Sequence, residues 1–146
     1  MGVVVVSQEQ VDAVKLPGRE LQWLIDAKSG GAEQLSVAIM TCPPHSVVRP
    51  VHSHTDVEEI ILILEGQGEA WVDGEVAPFK KGDAVLFPAN SKHQVRNTGD
   101  TNVVTASIFA TGKPQDCYVL YDEDAFAHVS DSDGANASSG GSTGRS

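Results

Sequence analysis

Along the chain, apolar residues come in short runs of β-branched and aliphatic side chains set off by Gly, Pro, Asn and Asp. That pattern predicts many short antiparallel strands. The runs fall at 21–25, 35–41, 51–54, 59–64, 68–72, 84–87, 93–97, 103–109 and 118–120. Three segments, Glu65-Gly66-Gln67-Gly68, Val72-Asp73-Gly74-Glu75 and Thr98-Gly99-Asp100, read as hairpin-type connections, because Gly or Asn accepts positive φ there. Helix is scarce: short turns are expected at 8–11 and 123–127, neither with an apolar stripe at helical period. Strand spacing predicts an all-β sandwich or barrel, and the lack of an internal repeat predicts one barrel.

At 146 residues the chain suits a single core. From Ser130 to Ser146 it contains no large apolar residue and is dominated by Ser, Gly, Asp and Asn, so the domain is expected to span 1–129, followed by a disordered tail at 130–146. Ten Lys plus Arg against twenty Asp plus Glu give a formal charge of −10, with no basic cluster. Nucleic acid and anionic membrane surfaces are poor partners for such a field. Cys42 and Cys117 lie in no disulfide or zinc-ribbon spacing and read as reduced thiols. The apolar Val3 to Val6 run is far shorter than a signal h-region, and no stretch reaches the length of a membrane span, so a cytoplasmic location is expected. The same run reads as an exposed edge strand, and a homodimer is the expected way of covering it.

The chemistry-bearing stretch is Pro50-Val51-His52-Ser53-His54-Thr55-Asp56-Val57-Glu58-Glu59. Histidines at i and i+2 of a strand project from one face, so both imidazoles can reach one ion. Four residues separate His54 from Glu59, room for a turn or bulge that aims a carboxylate at the same point. A third histidine, His93, comes from a second strand. By strand alternation Glu58 points away from Glu59 and reads as exposed. Ile61 and Ile63 are expected to face inward with Glu59, and Val95 and Asn97 with His93, giving a largely apolar cup. His45 reads as a solvated loop residue, Arg49 as a cover for barrel surface, His128 as a neighbour of the tail, and Cys42 as a small buried thiol.

These residues resemble the cupin superfamily. Its first motif, His-x-His, three or four residues, Glu, six residues and Gly, is matched by His52, His54, Glu59 and Gly66. Its second is matched by Gly82, Pro88, His93 and Asn97, with Asn90 where the family usually has Gly; Asn tolerates left-handed backbone nearly as well. Ser46 stands where the first motif usually begins with Gly. The resemblance implies a jelly-roll barrel (double-stranded β-helix) that holds one divalent transition metal, Mn, Fe, Ni, Co, Cu or Zn, through His52, His54, Glu59 and His93. Three neutral imidazoles and one carboxylate suit such borderline ions and do not suit Ca or Mg. The expected function is a metal-dependent enzyme acting on a small organic substrate by lyase, isomerase or dioxygenase chemistry; the alternative is a non-catalytic module that binds a small molecule. In size and in residues 23–27 the chain also resembles the small cupins that cleave dimethylsulfoniopropionate. Those use a strand Tyr two residues after the metal Glu, where this chain has Ile61; Tyr118 and Tyr121 read as packed strand-end residues with wet hydroxyls, a related role being the alternative.

Overall fold

A computed structural model describes residues 2–130. Among them are eleven strands: β1 (Val14–Leu16), β2 (Arg19–Ile25), β3 (Ser36–Cys42), β4 (His52–His54), β5 (Glu59–Glu65), β6 (Gln67–Val72), β7 (Glu75–Lys80), β8 (Ala84–Phe87), β9 (His93–Asn97), β10 (Val103–Phe109) and β11 (Tyr118–Leu120). They form two antiparallel sheets, ordered β1-β2-β3-β10-β5-β8 and β11-β4-β9-β6-β7, the expected all-β jelly-roll. Alternation sets which side chains enter the core: along β5, Glu59, Ile61 and Ile63 are buried while Ile60 and Leu62 face outward. The core draws on both sheets, with Leu21, Met40, Ile61 and Phe87 from the first and Ala70 and Val95 from the second. No helix among the described residues is long and apolar enough to cross a membrane.

Of the three expected hairpins, one is a hairpin. Asp73 (φ 44°) and Gly74 (φ 98°) join β6 to its partner β7 with the two consecutive positive φ values of a primed turn. The other two connections change sheets: Gly66 leads β5 into β6, and 98–100 leads β9 into β10, across the two layers. Turn residues report where the backbone needs positive φ; they do not report which strand will be the partner. Gly66 is also required sterically, since a Cβ there, at φ 88°, would lie 2.4 Å from the Asn102 carbonyl oxygen.

Two strands were not expected, and both are sheet edges. β7 carries charges and Pro78, which an edge tolerates because the missing N–H is not needed by a second neighbour. β1 is exposed along its length and carries Lys15, a charge that discourages edge-to-edge pairing. The Val3 to Val6 run is corrected here: it belongs to no strand, and Val3 is 92% exposed. A 3₁₀ turn occurs at Gln8–Gln10 and a turn at 125–128, close to the two places where short turns were expected. Apart from Ser130, the predicted tail lies outside the described residues.

Candidate metal centre

His52 and His54 sit at alternate positions of β4, and His93 is the direct cross-strand partner of His52 on β9. All three are buried, with ring centroids 4.5 to 5.3 Å apart. A nitrogen from each lies within 4.8 Å of the others. Backbone carbonyls orient two of the rings: His52 Nδ1 donates to Pro50 O at 3.0 Å and His93 Nδ1 to Ser91 O at 3.1 Å. A carbonyl can only accept, so a neutral ring held this way presents its Nε2 lone pair to the centre.

Glu59 approaches the same centre from the opposite sheet. It is 7% exposed, while its neighbour Glu58 lies in solvent, as alternation requires. Glu59 Oε1 is 3.0 Å from His54 Nε2 and 3.5 Å from His93 Nε2. Burial alone would raise the Glu59 pKa, but the hydrogen bond from His54 and the attraction of His93 bring it down to about 2. Burial, reinforced by the neighbouring His93, lowers His52 to about 3, which keeps that ring neutral. His54 Nδ1 and His93 Nε2 are buried without a hydrogen-bond partner. Such orphaned nitrogens cost about 1–3 kcal/mol each in an otherwise paired interior. A cation among the rings would supply the partner that His93 Nε2 lacks; the three imidazoles cluster closely, and with the Glu59 oxygen beside His54 they make donors that suit a first-row transition ion.

Aromatic side chains wall the centre. Phe87 stacks on His93, Phe109 meets His54 edge-on at 5.2 Å, and Tyr118 on β11 stands against both His54 (4.4 Å) and His52 (5.7 Å). Burial, with the charge of Glu59, raises the Tyr118 pKa, so its hydroxyl stays protonated and can donate. Ile61 and Val95 line the cavity as expected, and its volume of about 30 Å³ suits one small polar group. Asn97 is buried but does not line it: its amide donates to the carbonyls of Cys42, Pro43 and Thr101. Tyr121 is directed elsewhere, its hydroxyl 2.8 Å from Ser53 Oγ.

Asn90 takes positive φ (67°), as its motif position demands, and its side chain does more than glycine would. Its Oδ1 accepts from Asp56 N at 2.9 Å and its Nδ2 donates to Asp56 Oδ1 at 3.2 Å, clasping the loop between His54 and Glu59. Arg49 requires a correction, since it does not simply cover surface. Its Nε donates to the Asp124 carboxylate and its Nη2 to the carbonyls of Phe126 (3.1 Å) and Val129 (2.7 Å), fastening the C-terminal segment. His45 pairs with Asp100 in an exposed loop, His128 is exposed, and Cys42 is a buried thiol; none joins the cluster.

Two residues here escaped the sequence reading. Gln94 is fully buried on the far face of β9 from His93. It donates to Val48 O (2.9 Å) and Asp124 Oδ1 (3.0 Å) and accepts from Ala125 N (2.7 Å), tying the ligand strand to the C-terminal segment. Arg19, at the start of β2, is 7% exposed and lines the same cavity as His52, Glu59 and His93. Burial lowers its pKa from the ordinary 12.5, against the opposing pull of Tyr118, Cys42 and Glu59.

A family model described as a cupin domain matches residues 38–109. Among relatives, the chain is 26% identical over 96 residues to the polyketide synthase CurC of Streptomyces cyaneus, covering 66% of this chain and 62% of that one. It is 36% identical over 66 residues to an oxalate-binding protein of Thermotoga maritima, covering 45% of this chain and 54% of the relative. The matched region therefore spans less than two thirds of either relative. In fold, the chain is similar to the crystal structure of a predicted oxalate decarboxylase from Thermotoga maritima. The TM-score is 0.66 at 24% identity, over 74% of this chain and 99% of that one.

Proposed function

This chain belongs to the cupin superfamily, and from that premise we propose that it is a metal-dependent enzyme acting on a small organic substrate at a three-His, one-Glu centre. The observation that carries the reading is the convergence of three buried imidazoles, two held by backbone carbonyls, beside a buried Glu59 whose Oε1 lies 3.0 Å from His54 Nε2. His52, His54, His93 and Glu59 would hold the ion; Mn, Fe, Ni, Co, Cu and Zn all suit the donors. When bound, such an ion supplies a Lewis acid for a substrate oxygen. The chain's own groups supply the rest. Phe87, Phe109 and Tyr118 exclude water, the low basicity of His52 keeps its lone pair available, and the Tyr118 hydroxyl, held protonated, offers a hydrogen bond. Lyase, isomerase or dioxygenase chemistry fits these parts.

Elemental analysis after expression with each metal, followed by turnover of keto acids, catechols and sugars, tests the proposal. One ion per chain and activity abolished by His93→Ala support it; absence of any bound ion removes it. The kinship with an oxalate-binding protein favours a second reading, a metal-dependent binding module. Stoichiometric metal and saturable binding with no turnover across the panel would select that alternative.

We also infer a cytoplasmic homodimer. Cys42 and Cys117 form no disulfide, which fits a reducing compartment. The seat proposed for the second copy is the outer face of the six-stranded sheet. There Leu86, Ile60 and Ile108 lie side by side on β8, β5 and β10, with Leu62 next along β5, all of them exposed.

A further inference from the structure

The cavity of the histidine centre has a cationic wall formed by Arg19. One of its terminal nitrogens, Nη1, donates to the carbonyls of Pro17 and Arg49, each at 3.0 Å. A guanidinium has five N–H groups in a planar fork. Its other N–H groups make no hydrogen bond to the described residues, although the residue is only 7% exposed. A buried cation with spare donors calls for an anion, and a planar fork matches a carboxylate. Glu59, the acid that lines the cavity, is engaged with His54.

Outside the cavity lies a second space of about 360 Å³, and Arg19, Leu21 and Tyr118 line both. The outer space is lined mostly by apolar side chains, Leu16, Pro17, Trp23 and Leu120 among them, together with Arg49 and Gln115, and has the size that holds a small organic molecule. The inner cavity, by contrast, has room for little more than one polar head group. Arg19 thus faces both spaces.

We propose that the ligand of this site is a monocarboxylic acid with an apolar body. Its carboxylate lies between Arg19 and the histidine centre, and an aryl or branched aliphatic group lies on Leu16, Trp23 and Leu120. This rests on the reading of the histidines as the reacting centre and names the class of molecule that reaches it. A compact dicarboxylate such as oxalate leaves the outer groove empty. A neutral aryl alcohol leaves Arg19 without its anion.

Calorimetric titration of the full chain, metal-loaded and metal-free, with phenylacetate, oxalate, acetate and 2-phenylethanol tests the proposal. Phenylacetate is expected to bind at least about tenfold more tightly than the other three, the scale of one charge-assisted hydrogen bond or one well-covered ring. Arg19→Met should weaken phenylacetate by about tenfold or more, with Arg19→Lys intermediate. Because Arg19 also holds two carbonyls, Leu120→Asp provides a second arm that leaves it in place. That change should weaken phenylacetate while acetate binding stays the same. Equal affinity for oxalate and phenylacetate, or phenylacetate binding indifferent to both substitutions, overturns the proposal. Metal content, measured separately, distinguishes the two failures. A chain that loads metal but ignores phenylacetate refutes the ligand class alone. A chain that binds phenylacetate through Arg19 without ever loading metal supports the ligand class and refutes the metal centre.

Discussion

Phe87 lies flat on His93, with ring centroids 4.2 Å apart and planes 11° from parallel. The contact joins β8 of one sheet to β9 of the other and holds the face of the imidazole, while Ser91 O holds its Nδ1 edge. Phe87→Ala should cost about 3–5 kcal/mol of stability, as for a buried aromatic whose space cannot fully collapse. Chemical denaturation measures it. Metal affinity should fall in the same variant, and Phe87→Leu should lose less of both.

Glu59 and Glu58 are adjacent in sequence and on opposite sides of β5 or its approach. Glu59→Gln should lower metal affinity by more than the roughly 10–100-fold typical of losing an outer-shell partner. Glu58→Gln should leave it unchanged. Competition against a chromogenic chelator compares the two, and the reverse ranking would place the carboxylate ligand at Glu58.

Asn90 combines a left-handed backbone with a two-way clasp on Asp56. Asn90→Gly keeps the backbone and loses the clasp, and is expected to cost about 1 kcal/mol. Asn90→Ala adds roughly another 1–2 kcal/mol of backbone strain. Thermal melts should therefore rank the native chain above Gly and Gly above Ala.

Asp26 accepts the backbone N–H groups of Lys28 (2.9 Å) and Ser29 (2.8 Å) and the Gln115 amide (2.9 Å). Burial pushes its pKa upward, but these donors, with the Lys28 charge, outweigh it, and the folded-state value lies below the ordinary 3.8. A depressed carboxylate stabilises the fold fully above its unfolded value and loses that contribution as pH falls through the folded one. Asp26→Asn should lower stability at neutral pH and flatten its decline below about pH 4. Urea midpoints across that range provide the check.

Ile60 has Leu86 directly opposite on one side and Ile108 on the other. If a second copy covers this row, Ile60→Glu should halve the mass seen by light scattering at micromolar concentration, while deletion of residues 3–6 should leave it unchanged. A monomeric native chain would refute the dimer.

Much of the centre was legible in the sequence because its geometry is local. His52 and His54 share a face by the two-residue period of a strand, alternation separates Glu59 from Glu58, and Asn90 marks its own positive φ. What was missed depends on partners far along the chain. Arg19 looks like a solvated strand residue until the carbonyls of Pro17 and Arg49 enclose it. Gln94 becomes a fastener only when Val48 and Asp124 arrive beside it. The edge strand β7 was hidden by Pro78 and its charges, and the crossings at Gly66 and 98–100 were hidden because turn chemistry does not name a strand's neighbour.

The three imidazoles belong to the five-stranded sheet and Glu59 to the six-stranded one. An ion held by all four is therefore a clip between the two layers, and its free concentration becomes a variable of folding. Above the dissociation constant, each tenfold increase in free metal should add about 1.4 kcal/mol to the work of unfolding. A melting curve recorded against metal concentration would then serve as a binding isotherm, and a chelator would act on this protein as a mild denaturant.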